Sequence, residues 1–165
     1  MKRYITEQPH RMSCGSIAIM NALKWLGYSA PYRETMKDLE KAGYEPKKSK
    51  WACDMKAILK AYGIKFKFHE NVTVNKMKKI VNKGNALIFA YDWVTTTRHG
   101  THYIFIDFYT DFAGGHFNAY NYHTGFETGM LSENYIDQCI YISKKIRKDL
   151  IRKKQVAHFF EIIKE

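Results

Sequence analysis

The feature that most constrains the fold of this chain is a helix-forming segment that is apolar on nearly every side. Residues 17–26 read IAIMNALKWL, and Gly27 follows at the place where a helix commonly ends on glycine. A helix with apolar side chains around its whole circumference is buried on most sides. Other elements must therefore pack around it, and the 165 residues of the sequence are enough for one domain with such a core. We predict a single domain over residues 1–165.

The rest of the sequence predicts more helices early and more strands late. Apolar residues at helical spacing, bounded by glycine or by capping residues such as Ser132, predict helices over residues 31–42, 53–62, 74–82 and 133–154. Alternating or short apolar runs predict strands over residues 64–68, 86–91, 102–109, 116–122 and 156–163. The turn residues between 109 and 116 make the strands on either side an antiparallel hairpin. This order is typical of an α+β fold.

The charge of the chain is strongly positive. Lys and Arg number 27 against 16 Asp and Glu, which gives a formal net charge of +11. Such a charge attracts nucleic acid, anionic membranes or acidic proteins, and the basic helix 133–154 is the candidate surface for an acidic protein or nucleic acid. Most of the basic residues are lysine, however, so we favour a compositional bias from an AT-rich genome as the explanation of the charge.

Neither a membrane span nor a disulfide framework is predicted. No apolar run approaches the roughly 20 residues of a membrane helix, and the basic residues 1–10 lack the apolar run of a secretory signal. The three cysteines, Cys14, Cys53 and Cys139, are widely spaced and odd in number, so at least one thiol stays free. We therefore expect a cytoplasmic protein, in which Cys53 and Cys139 are buried and inert.

Cys14 stands where the apolar helix begins. The unpaired N–H groups and the dipole of a helix N-terminus favour a thiolate there, as a nucleophilic cysteine requires. The backbone N–H of Cys14 and the side-chain amide of Gln8 can donate to an oxyanion, and Gly15 lets a substrate approach closely. A cysteine in an apolar helix is also commonly an inert buried side chain, so catalysis depends on a base elsewhere in the sequence.

The spacing from Gln8 to Cys14-Gly15, followed by the apolar helix, resembles the papain-like cysteine peptidases. Within them it is similar to the bacterial peptidases that remove double-glycine leaders. Residues 100–105 (GTHYIF) resemble the Gly-His-Tyr segment of that family, with a threonine inserted before the histidine. The resemblance implies a papain-like α+β fold in which the Cys14 helix packs on an antiparallel sheet. It implies hydrolysis of a peptide or isopeptide bond in a peptide or protein substrate, without a cofactor, by Cys14 as nucleophile, His102 as base and Gln8 as oxyanion donor.

The third catalytic position departs from the family pattern. The family has Asp-Pro at the end of the strand that follows the histidine strand, and this chain has Asn121 there. Papain uses an asparagine, so an amide can orient the imidazole. Because strand faces alternate, Asn121 shares a face with Phe117 and Ala119, whereas Asn118 lies on the other face. The register of the hairpin also favours Asn121 as the partner of His102.

A zinc site at His99, His102, His116 and His123 is not expected, because zinc sites usually recruit clustered cysteines or carboxylates as well. Two alternatives remain open. One is a catalytically inactive or repurposed papain-like module, of phage or bacterial type, that binds a host protein or nucleic acid through its basic surface. The other is an acyltransferase with the same Cys-His chemistry.

Overall fold

The structure is a computed structural model that describes residues 14–41, 51–94, 99–120, 129–149 and 157–164. Within these ranges the chain forms five α-helices and one sheet of six strands. Every described strand pair is antiparallel, which confirms the α+β class. In the described part of the chain, no helix is long and apolar enough to cross a membrane.

The helices are α1 (Cys14–Leu26), α2 (Tyr32–Lys41), α3 (Trp51–Ala61), α4 (Val74–Asn82) and α5 (Glu133–Asp149). The strands are β1 (Phe66–His69), β2 (Ala86–Val94), β3 (His99–Thr110), β4 (His116–Tyr120), β5 (Gly129–Ser132) and β6 (His158–Ile162). Across the sheet the order is β1-β6-β2-β3-β4-β5. The last strand of the chain therefore lies between β1 and β2 and not at an edge.

The ends of several helices follow from local sequence. Gly27, with a φ of 105°, ends α1 in the left-handed region that glycine enters without strain. The N–H of Tyr28 donates to the carbonyl of Leu23 at 3.0 Å, which is the bond of a Schellman C-cap. The hydroxyl of Ser132 accepts a bond of 3.2 Å from the N–H of Tyr135, and so it caps α5 as predicted.

The observed strands differ from the predicted ones in three ways. β1 begins at Phe66 and not at residue 64, because Ile64 is buried at the end of the preceding turn. β2 and β3 extend beyond their predicted ends, since they pair with each other as far as Val94 and His99. The sequence does not predict β5, because its four residues carry no long alternating pattern. Its extended structure depends on its pairing with β4.

The core has two layers, one on each side of the sheet. We call the side that packs α1, α2 and α3 the α1 face, and the side that packs α4 and α5 the α5 face. Buried residues of the α1 face include Ile88, Ala90, Tyr103, Phe105 and Phe160. Buried residues of the α5 face include Phe89, Tyr91, Ile104, Phe117 and Phe159. Residues Cys14 to Leu23 of α1 are all buried, which confirms the prediction from its apolar circumference.

Candidate functional site

The thiol of Cys14 lies at the first residue of α1 and is almost buried, with 8% of the residue exposed. Its sulfur accepts hydrogen bonds from the backbone of Tyr103 in β3, of Gly15 and of Cys14 itself. The last two amides belong to the first turn of α1, where backbone N–H groups have no partner within the helix. The bond from Tyr103 is a tertiary contact, and it brings the start of α1 to the residue that follows His102.

This bond also locates Cys14 relative to the strands. Backbone N–H groups of an antiparallel strand lie in the plane of the sheet and point towards a neighbouring strand. At Tyr103, β2 occupies one side of β3, whereas the described ladder with β4 ends at the pair Phe105–Tyr120. The amide that reaches the sulfur therefore points to the β4 side of β3, beyond the last described pair. The start of α1 thus lies beside β3 at Tyr103, the residue next to His102.

The imidazole of His102 lies on the α5 face of the sheet. His102 is directly opposite Tyr91 in the β2–β3 ladder, and directly opposite residues share a face. Their ring centroids are 5.8 Å apart at an interplanar angle of 75°. Cys14, by contrast, belongs to the core layer of the α1 face. The structure therefore places Cys14 beside the backbone next to the predicted base, while the two side chains belong to opposite faces of the sheet.

The electrostatics of Cys14 differ from the sequence expectation. Burial raises the pKa of the thiol above its ordinary value, and the hydrogen bonds from the backbone of Tyr103, Gly15 and Cys14 lower it by less. The start of α1 favours a thiolate locally, but desolvation by the packed sheet opposes it and is the larger effect. The resting group at neutral pH is therefore the thiol.

Two of the predicted site residues, Gln8 and Asn121, lie outside the described residues. Asn118, the alternative to Asn121 as the third catalytic residue, is among the described residues. Its amide donates to Asp107 at 3.0 Å and to the hydroxyl of Tyr120 at 2.8 Å. These three residues form a polar group on the α1 face, away from the imidazole of His102.

The alternation predicted for β4 is confirmed. Phe117 and Ala119 are buried on the α5 face, whereas Tyr120 belongs to the α1 face. Asn118 lies between the two buried residues and therefore shares the face of Tyr120. His102 lies on the same face as Phe117 and Ala119, which is the face that the alternation predicts for Asn121.

Several polar side chains on the two faces of the sheet near His102 and Tyr103 were not among the predicted site residues. On the α5 face, Tyr91 is hydrogen-bonded to Tyr135 of α5, and Tyr135 is in turn hydrogen-bonded to Cys139. On the α1 face, the buried ring of His158 lies 6.0 Å from that of Tyr103. The alternation of faces along β2 places Tyr91 on the same face as Phe89. Its contacts with β3 and α5, however, depend on strand pairing and helix packing, which the sequence does not reveal.

Cys139 is buried, as the sequence predicts, and burial raises the pKa of its thiol to about 11. The side chain of Cys53 lies outside the described part. Among the residues that the structure describes, no three His, Cys, Asp or Glu side chains are close enough to hold a metal ion, and His123 lies outside them.

No protein-family model matches the sequence, and no curated protein matches it.

Proposed function

We propose that the chain is a papain-like cysteine peptidase that hydrolyses a peptide or isopeptide bond, with Cys14 as nucleophile and His102 as base. The observation that carries the proposal is the hydrogen bond from the backbone of Tyr103 to the sulfur of Cys14. It joins the start of a buried helix to the residue next to the histidine of the second motif. A cysteine helix packed on an antiparallel sheet is also compatible with a papain-like fold.

The protonated state of Cys14 determines the first step of the reaction. Because burial raises the pKa of the thiol, His102 removes the proton as the sulfur attacks, and no ion pair is formed in advance. This step requires the imidazole to turn from the α5 face towards the sulfur. A carbon–sulfur bond then forms at the substrate carbonyl, and the proton resides on His102.

The later steps follow from the same groups. The N–H groups of Cys14 and Gly15 at the start of α1 donate to the oxyanion, with Gln8 as the proposed additional donor. The imidazolium of His102 protonates the leaving amine, which breaks the carbon–nitrogen bond and leaves a thioester on Cys14. The neutral imidazole then activates a water molecule, which hydrolyses the thioester. Asn121 is the proposed orienting amide.

A peptide library analysed by mass spectrometry tests this function. The wild-type chain should release pairs of peptides whose masses add up to that of the substrate plus one water, and Cys14→Ala should release none. Cys139→Ala is the matched control, because it removes a buried thiol that the mechanism does not use. Products that carry an added amine in place of water would instead identify an acyltransferase. No turnover by the wild type over the library would contradict both enzymatic functions.

A binding module on a repurposed papain-like fold is the second candidate. Two observations favour it: the raised pKa of Cys14, and the approach of His102 from the opposite face of the sheet. Its basic surface includes the exposed side chains of Lys144 and Lys145 in α5. Retention on nucleic acid that falls steeply with salt, and falls further in a Lys144→Gln, Lys145→Gln variant, would support it.

A further inference from the structure

We propose that Trp93 binds an apolar or aromatic side chain on the leaving side of the substrate, which is the part released as the amine. This inference deepens the proposed peptidase function and rests on the roles proposed there for Cys14 and His102. Trp93 lies near the end of β2, two residues after Tyr91 and therefore on the same face of the sheet. It is 38% exposed, so part of its large apolar ring is accessible to a ligand.

The ring of Trp93 has a defined place on the backbone of β3. Trp93 is directly opposite Gly100 in the β2–β3 ladder, and directly opposite residues share a face. A Cβ on Gly100 would lie 3.0–3.1 Å from three atoms of the indole ring, which is closer than ordinary van der Waals contact. The absence of a side chain at Gly100 therefore lets the ring rest on the strand itself. Because the backbone of the hairpin sets this place, it does not depend on how the imidazole of His102 turns.

The order of residues along β3 places Trp93 on the leaving side of the substrate. The sulfur of Cys14, which bonds to the acyl carbon, contacts the backbone of Tyr103. His102, which protonates the leaving nitrogen in the proposed mechanism, precedes Tyr103, and Gly100 lies two residues before His102. At about 3.3 Å per residue, Gly100 is about 10 Å along the strand from Tyr103. A substrate that continues in this direction brings the first or second residue of its leaving part to Trp93.

The faces of the sheet agree with this direction. The side chains of His102 and Trp93 both belong to the α5 face, whereas Cys14 belongs to the core layer of the α1 face. A substrate with its carbonyl at the sulfur and its leaving nitrogen at the imidazole therefore extends from the α1 face towards the α5 face. An apolar side chain that follows this nitrogen can pack on the indole, which buries a large apolar area on contact. Glycine at the same position makes no such contact.

Substrates that differ at one residue test this role in the full chain. A peptide that the wild type cleaves is prepared with phenylalanine or with glycine at each of the two positions that follow the cleaved bond. The readout is the ratio of kcat/KM for the phenylalanine form to that for the glycine form. Trp93→Ala removes the ring, and Trp93→Phe keeps an aromatic ring in its place. Phe108→Ala is the matched control, since it removes another exposed aromatic side chain, 55% exposed, from the other end of β3.

We expect the wild type to prefer phenylalanine to glycine about tenfold at one of the two positions, because partial burial of an aromatic side chain supplies about one tenfold step. Trp93→Ala should lower this ratio to about one, whereas Trp93→Phe should keep most of it. Phe108→Ala should match the wild type. An unchanged ratio in Trp93→Ala, or an equal loss in Phe108→Ala, would overturn the role of Trp93.

A binding measurement separates this inference from the peptidase proposal. The chain has three tryptophans, so in protein labelled with 5-fluorotryptophan the fluorine signal that is missing from Trp93→Phe identifies Trp93. Phenylalanine amide, which represents the released amine, should shift that signal, and glycine amide should not. A shift without cleavage of any peptide would overturn the peptidase proposal alone. The absence of a shift in a chain that cleaves peptides would overturn the role of Trp93 alone.

Discussion

At the scale of single residues, the state of Cys14 shows how tertiary packing overrides a local preference. Its place at the start of α1 is visible in the sequence and favours a thiolate. The burial that raises its pKa arises from the sheet, which no local pattern contains. The same holds for Tyr91, whose contacts with His102 and Tyr135 depend on strand register and helix packing. The sequence therefore predicts candidate site residues but not their protonation states or their neighbours.

Gly115 provides a test of packing at one residue. Glu133 accepts hydrogen bonds from Lys78 and Tyr109, and a Cβ on Gly115 would lie 2.5 Å from both the Glu133 carboxylate and the Tyr109 hydroxyl. Gly114 has the same φ of 89°, but a Cβ there would meet nothing within 4 Å. The two glycines therefore separate backbone strain from steric conflict.

We expect Gly115→Ala to lower the free energy of unfolding by about 1–3 kcal/mol more than Gly114→Ala does, which is the usual range for overpacking. Chemical denaturation of both variants measures the difference. Equal losses would mean that only the backbone conformation matters at this turn and that the Glu133 cluster adapts without cost.

At the scale of elements, local sequence features determine some parts of the fold and long-range strand pairing determines others. The apolar circumference of α1, its end at Gly27 and the cap of α5 at Ser132 are local features, and all are confirmed. The place of β6 inside the sheet depends on pairs such as Ile88–Phe160, which join residues far apart in the chain. Neither apolar runs nor turn residues encode that order. The sequence therefore predicts that β6 is a strand but not where it lies in the sheet.

The contact between α5 and the end of β2 is testable at Ser143. Its hydroxyl accepts from the N–H of Asp92 and donates to the carbonyl of Cys139, both at 2.8 Å. Ser143→Ala leaves these buried groups without that partner, so the free energy of unfolding should fall by about 1–3 kcal/mol. The exposed neighbour Lys144 is the control, and Lys144→Ala should change the stability by at most about 0.5 kcal/mol. Losses of equal size in the two variants would show that the Ser143 bonds do not stabilise the α5–β2 contact.

At the scale of the whole molecule, buried thiols make stability depend on alkaline pH. Burial raises the pKa of Cys139 from 9.0 to about 11, and it also raises that of Cys14. An unfolded thiol loses its proton at lower pH than the folded one, so deprotonation favours the unfolded chain. The stabilisation is complete below the unfolded pKa and is lost as pH rises through the folded pKa.

The free energy of unfolding should therefore fall as pH rises from about 9 to about 11. Cys139→Ala should show a smaller fall over the same window, because it lacks one of the titrating thiols. Urea unfolding of both proteins at several pH values measures this. Parallel curves for the wild type and Cys139→Ala would show that Cys139 is not desolvated in the folded chain.

The measurement that tests the account most directly is the pH profile of Cys14 alkylation in the wild type and in His102→Ala. If His102 removes the proton from a protonated thiol, the wild type should react on the order of 100-fold faster than the variant at neutral pH. The two profiles should converge at alkaline pH, where the thiolate forms without a base. His116→Ala, at a histidine in β4 outside the site, should follow the wild type. Superimposable profiles for the wild type and His102→Ala would contradict the proposed pairing of Cys14 with His102.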